Sequence, residues 1–463
     1  MFENSTPGEL PVQCELIVHS GLVLTIDNDN RIINDGALAI GHGRILAIGS
    51  TSEILQTWRA NNVLDAEGGV VHPGFIDAHV HVSQYTARSV LPRMARTAIT
   101  MGDWKAALTP EDEHVSATLA AIDYLRSGYT GFVDPGTIFE PNAVAPVAKK
   151  VGIRIWLTDP YVADRGDRLR DHAELVSDSF LKRWPQNTSQ AVHRMGSQLF
   201  RNRDSESTLV SAFIGLYGEE TCSAELLEAA SHLAQTHGVQ MQQHLGYAPN
   251  FYHRRELALK RPVLEWLADR GWLAPNATFI HMNALSATDV QQIAGANAKI
   301  VWCPYGQLQM MSEAHIEPRT SELLDAGVAI GLGADIARIV PISGLGSLAM
   351  ATAAAFHFSL QATALLRMRC TAAAATVGAS DEIGSLEKGK RADIVVRSPR
   401  DSITLHVDVL HELAALGGGQ VRHVIVAGQW VLRDGALEHV DESAALAAAR
   451  SSVKAIAARI GLP

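Results

Sequence analysis

The chain has 463 residues and a formal net charge of −10, from 39 basic and 49 acidic side chains. Hydrophobic residues make up 47% and charged residues 19%, so a large core can form and general disorder is excluded. No surplus of Lys and Arg is available for a phosphate backbone or an anionic membrane surface, which argues against nucleic-acid and membrane partners.

At the N-terminus, residues 1–11 carry Glu3 and Glu9 and no apolar run after a basic start. No export signal is expected there. Four scattered cysteines, Cys14, Cys222, Cys303 and Cys370, form no C-x-x-C pair, which points to a reduced, cytoplasmic compartment. Glu15–Gly21 and Leu22–Asp27 read as strands, the second ending in the turn cluster Asn28-Asp-Asn30. Ala37–Gly41 and Arg44–Gly49 read as two more, separated by a tight turn.

The middle of the chain changes character. Eight short apolar segments alternate with helical stretches: Gly74–Val80, Tyr129–Asp134, Ile153–Thr158, Leu209–Tyr217, Val239–Leu245, Ala277–Met282, Lys299–Cys303 and Val328–Gly333. Eight β-then-α units over roughly 300 residues predict an α/β fold, a (β/α)8 TIM barrel, with a doubly wound sheet as the alternative. Ile339–Leu366 has no charged side chain, yet its Pro, Gly, Ser and His content predicts a buried helix rather than a membrane span. Ala392–Arg397, Val421–Val426 and Trp430–Arg433 return to the strand style of the N-terminus. The expected division is 1–72 and 382–463 as the two parts of a small β-sandwich, and 73–381 as the barrel.

His79 and His81 end the first barrel strand, where residues i and i+2 share a face. His244, His281 and Asp335 end three other strands. Each alone reads as a hydrogen-bonded strand end. Together they converge on the C-terminal rim, where barrel active sites lie. Imidazole and carboxylate ligands with an open position suit zinc, with iron or cobalt as other options. Such an ion lowers the pKa of a bound water to about 7.

Val71-His-Pro-Gly-Phe-Ile-Asp-Ala-His-Val-His81 resembles the strand-1 signature of the metal-dependent amidohydrolase superfamily. His244-Leu-Gly, His281-Met-Asn-Ala-Leu-Ser286, Trp302-Cys-Pro304, Gly331-Leu-Gly-Ala-Asp335 and Ile383–Asp393 follow in the family's order. The branch it resembles holds triazine hydrolases, guanine deaminases and adenosine-type deaminases. The resemblance implies one divalent metal ion per chain, held by His79, His81, His244 and Asp335. It implies that His281 polarises the attacking group or substrate, and that Asp335 also takes a proton. Two-metal relatives carry a lysine or glutamate on strand 4, and Leu209–Tyr217 contains neither. A homo-oligomer, dimer or tetramer, acting on a small molecule is expected.

Two positions depart from that branch. Its ring deaminases carry a glutamate three residues after the strand-5 histidine, where this chain has Tyr247. A phenol, with an ordinary pKa near 10, is a poor proton shuttle but a good donor to an oxyanion; a pocket-wall tyrosine is the plainer alternative. After the strand-7 Cys-Pro, Tyr305 is followed by Gly306-Gln307 in place of the usual Ser-Asn. Both departures favour hydrolysis of an acyclic urea, carbamate, thiocarbamate or amide, as in the phenylurea and thiocarbamate herbicide hydrolases. A ring aminohydrolase or dechlorinase is the second reading, and an inactive scaffold the third. Gln84, Trp302, Tyr305 and Gln307 are the candidate substrate contacts, with core packing as the alternative for Trp302 and Tyr305. Gly344-Leu-Gly-Ser-Leu-Ala349 matches a dinucleotide fingerprint only in letters, because no βαβ unit opens there. Cys303 reads as a buried, inert thiol.

Overall fold

The computed structural model describes residues 11–169, 176–203, 209–311, 318–336, 341–399 and 407–463. The reading of residues 1–10 lies outside them, as do residues 339 and 340 of the uncharged stretch. Among the described residues no helix is long and apolar enough to cross a membrane. The described part of that stretch instead forms a short turn and the helices Leu345–Ala355 and Ala362–Arg369.

Eight parallel positions follow one another along the chain. They are β1 (Phe75–Asp77), β2 (Tyr129–Val133), β3 (Arg154–Leu157), β4 in two pieces (Val210–Ala212 and Ile214–Gly218), β5 (Met241–Leu245), β6 (Ala277–His281), β7 (Lys299–Trp302) and β8 (Ile330–Leu332). The first piece of β4 completes a four-stranded sheet with β1 to β3, and the second opens a five-stranded sheet with β5 to β8. Phe213 separates the two pieces. The far edges also meet: the Ala78 N–H donates to the Leu332 carbonyl at 3.0 Å and the Asp335 N–H to the His79 carbonyl at 2.8 Å.

The alternation of side chains along these strands builds two apolar layers. Ile76, Val133, Trp156, Phe213, Ile280 and Val301 join in one cluster. Phe132, Ile155, Leu157, Phe279, Ile300 and Leu332 face the other way and pack with helical residues such as Val144, Val147, Leu226 and Leu227. Ser223 starts the helix Ala224–His237 by accepting from the Leu226 N–H, and Gly238 ends it in the left-handed region, a common pairing of helix start and stop.

Both ends of the chain meet in one continuous nine-stranded sheet. Ile394–Arg397 pairs antiparallel with Val70–Pro73, which in turn pairs with Val12–Leu24. The two strands expected over Glu15–Asp27 are one, Val12–Leu24, with irregular register between Val18 and Val23 and a positive φ at Ser20. A strand at Trp58–Asp65 and the helix Glu442–Arg459 were not expected. The helix places Ile456 and Ala457 against Met94, Met101 and Trp104, just beyond the first strand.

Candidate metal centre

β1 stops at Asp77, so His79 and His81 lie just past the strand. Asp77 organises this exit: its Oδ1 accepts the N–H of His79 at 3.0 Å and of Ala334 at 3.1 Å. It thereby ties the ends of β1 and β8 together. The neighbouring seam, Val80 beside Asp335, forms an isolated parallel bridge.

Five polar side chains meet above these strand ends. His79, His81, His244, His281 and Asp335 are all buried, with His79 at 0% and none above 8% exposed. One ligand atom from each of His79, His81 and His244 lies within 4.8 Å of the others, and the same holds for His79, His281 and Asp335. The two triads share His79. Asp335 Oδ1 lies 3.0 Å from His81 Nε2 and 3.7 Å from His79 Nε2.

The electrostatics favour neutral imidazoles around one carboxylate. Burial pushes the His79 and His244 imidazoles below their usual range, and His281 down to about 3. Burial alone would raise the Asp335 carboxyl, but the neighbouring His79 and His81 imidazoles hold it well below the carboxylate range. His244 Nδ1 donates to the Tyr217 carbonyl at 2.8 Å, which fixes the tautomer and leaves Nε2 as a ligand atom. Both ring nitrogens of His79 are buried without a hydrogen-bond partner among the described residues. Such atoms are costly unless something else engages them. The donor set therefore fits a divalent ion that prefers nitrogen and oxygen ligands.

The backbone is strained at the same place. His281, Met282 and Asp335 have φ of +81°, +51° and +55°, each costing on the order of 1–3 kcal/mol. At position 218 a Cβ would come within 2.2 Å of the His244 carbonyl oxygen, so glycine alone fits beside that histidine.

The remaining candidates divide. Tyr247 lies beside the centre, its ring centroid 4.8 Å from that of His281, and its hydroxyl donates to Gln309 Oε1 at 3.4 Å. Gln84 sits in the turn Val82–Gln84 directly after His81, 2% exposed, with Oε1 unpartnered among the described residues. Tyr305 is half-buried and lines a small cleft with Ala334, Ile336 and Leu345. Trp302 and Gln307 meet each other. The Trp302 side chain points to the helix side, opposite its neighbours Val301 and Cys303, and packs on Phe358. Its indole N–H donates to Gln307 Oε1. The pair therefore staples the helix Pro304–Gln309 to β7, and strand alternation sets the indole opposite Val301 and Cys303. Cys303 is buried with its thiol pushed well above the usual range, which suits an inert thiol. Tyr217 and Asp77 received no role from the sequence. Asp77 stood inside the strand-1 signature, but a carboxylate that caps backbone N–H groups leaves no pattern of its own.

A profile of the amidohydrolase family matches residues 70–431. The 5-methylthioadenosine/S-adenosylhomocysteine deaminase of Syntrophobacter fumaroxidans is 27% identical over 443 residues, 91% of this chain and 94% of that protein. A zinc-bound adenosine deaminase from Xanthomonas campestris has a TM-score of 0.78 at 23% identity, covering 97% of this chain and 100% of its own. Atrazine chlorohydrolase TrzN from Arthrobacter aurescens TC1, complexed with zinc, has a TM-score of 0.77 at 21% identity, covering 95% and 100%. With this match over most of its length, the chain belongs to the amidohydrolase family and is a hydrolytic enzyme acting on carbon–nitrogen bonds.

Proposed function

We propose that this enzyme is a mononuclear metal-dependent aminohydrolase that removes an amino group from a heteroaromatic ring, with aminated purine nucleosides as the leading class. The observation that carries this is the convergence of four buried imidazoles and one buried carboxylate in two triads sharing His79. The deaminase name of the Syntrophobacter relative supports the ring reading over the acyclic one. The two parallel sheets are then one closed (β/α)8 barrel, and the terminal sheet is the accessory β domain. Cytoplasmic location and homo-oligomeric assembly belong to the same reading.

His79, His81, His244 and Asp335 would hold the ion, zinc foremost. When bound, it supplies a Lewis acid that makes water nucleophilic near neutral pH. β4 brings neither lysine nor glutamate to bridge a second ion. Asp335, held ionised, takes the proton of the attacking water on its carboxylate. His281 orients the reacting centre with its buried, neutral imidazole. The closed environment of these residues excludes bulk water and strengthens each interaction.

The acyclic reading keeps one specific support. Tyr247 places a phenol beside His281, a donor suited to an oxyanion. A panel of aminated purine nucleosides, guanine and amino-triazines, set beside ureas, carbamates and thiocarbamates, separates the two. Ammonia from the rings is expected; an amine or thiol from the acyclic compounds alone would establish the other chemistry.

A further inference from the structure

Gly306 is the third residue of the helix Pro304–Gln309, and it is one of the positions where the chain departs from its branch. A Cβ built there would lie 3.1 Å from Asp335 Oδ2, 3.3 Å from His281 Nδ1 and 3.4 Å from His281 Cε1. The backbone of this helix thus closes directly on the two groups read above as handling the water and the substrate. We propose that Gly306 is a positioning residue: the missing side chain sets the spacing of Asp335 and His281. The inference rests on the role assigned to that pair.

The neighbours have little room to yield. Asp335 is pinned by its N–H to the His79 carbonyl at 2.8 Å, and its own carbonyl accepts the His81 N–H at 3.0 Å. Its carboxylate lies against His81. The His281 ring sits among His79, His244 and Tyr247, with centroids at 5.8, 5.5 and 4.8 Å. The helix cannot easily back away either, because the Gln307 N–H bonds the Cys303 carbonyl at 3.0 Å and the Gln307 side chain holds the Trp302 indole. A methyl group at 306 therefore displaces the carboxylate or the imidazole by a few tenths of an ångström. The requirement is steric, since Gly306 is not among the glycines with positive φ. Alanine is also the better helix former, so the substitution does not weaken the helix itself.

The test compares Gly306→Ala with Gly295→Ala. Gly295 ends the helix Ala287–Gly295, and a Cβ there meets nothing within 4 Å. Each variant and the parent is loaded with cobalt(II), and the metal content, visible spectrum, melting temperature, kcat and KM are measured. Gly306→Ala should keep the parent's metal content and a melting temperature within about 2 °C. Its cobalt bands should shift as Asp335 moves. Its kcat should fall by roughly 10- to 100-fold, as expected for a small misplacement of reacting groups, with KM within about threefold. Gly295→Ala should match the parent throughout. Parental kcat and parental cobalt bands in Gly306→Ala would overturn the proposal, as would loss of metal in proportion to activity. If the parent deaminates no heterocycle, the ring reading falls, while the cobalt spectra still decide the role of Gly306.

Discussion

Arg154 and Asp393, 239 residues apart, form a two-pronged ion pair at 2.6 and 2.8 Å. Arg154 opens β3 and Asp393 directly precedes a strand of the terminal sheet, so the pair fastens one to the other. Both side chains are nearly buried, at 6% and 5% exposure. Asp393 Oδ1 also accepts the Ala427 N–H at 2.8 Å. Asp393→Ala removes both of these bonds to the buried guanidinium and the acceptor of the Ala427 N–H. It should destabilise the protein by about 3–5 kcal/mol, measured by urea unfolding. A change below about 1 kcal/mol would mean that this pair does not hold β3 to the terminal sheet.

The ligand set predicts a joint loss. His79→Ala and His244→Ala should each lose bound metal and activity together, read by elemental analysis beside a turnover assay. Chelation of the parent should abolish activity and lower the melting temperature, because an ion bound only to the folded state stabilises it by mass action. A chelated protein that keeps its activity would remove the metal from the account.

His281 should behave differently from the ligands. His281→Ala is expected to retain most of the metal while kcat falls by roughly 10²-fold or more, the scale of a lost acid–base partner. Metal loss that tracks the loss of activity would move His281 into the ligand set, which its triad with His79 and Asp335 makes geometrically feasible.

Tyr247 separates the two chemistries. Tyr247→Phe keeps the ring against His281 and removes only the hydroxyl. If that hydroxyl supports an oxyanion, kcat should fall by about 10²- to 10³-fold. In ring deamination, with Tyr247 as pocket wall, kcat should change by no more than about threefold. The smaller change is the expected outcome.

The eight strand positions and the convergence of the five candidate metal-centre residues were legible because each rests on a local pattern. An apolar run of four or five residues marks a buried strand, and a histidine or aspartate closing it marks the rim. What escaped depends on partners distant in sequence. Trp58–Asp65 is mostly exposed and polar, and it becomes a strand only by pairing alongside Val12–Leu24. The helix Glu442–Arg459 is alanine-rich and weakly patterned. It finds its place through Ser452 and Arg459, which both reach Asp112. The bond between Trp302 and Gln307 also escaped: strand alternation turns the indole to the helix side, where the glutamine of the following helix meets it. The role proposed for Gly306 was hidden for a related reason: the atoms beside it belong to residues at or just past the ends of two other strands.

The most direct test is a zinc titration of metal-free protein, with ammonia release from an aminated purine nucleoside as the readout. The account predicts a linear rise in rate that breaks at one ion per chain. A break at two ions, or no ammonia at any metal loading, would contradict it.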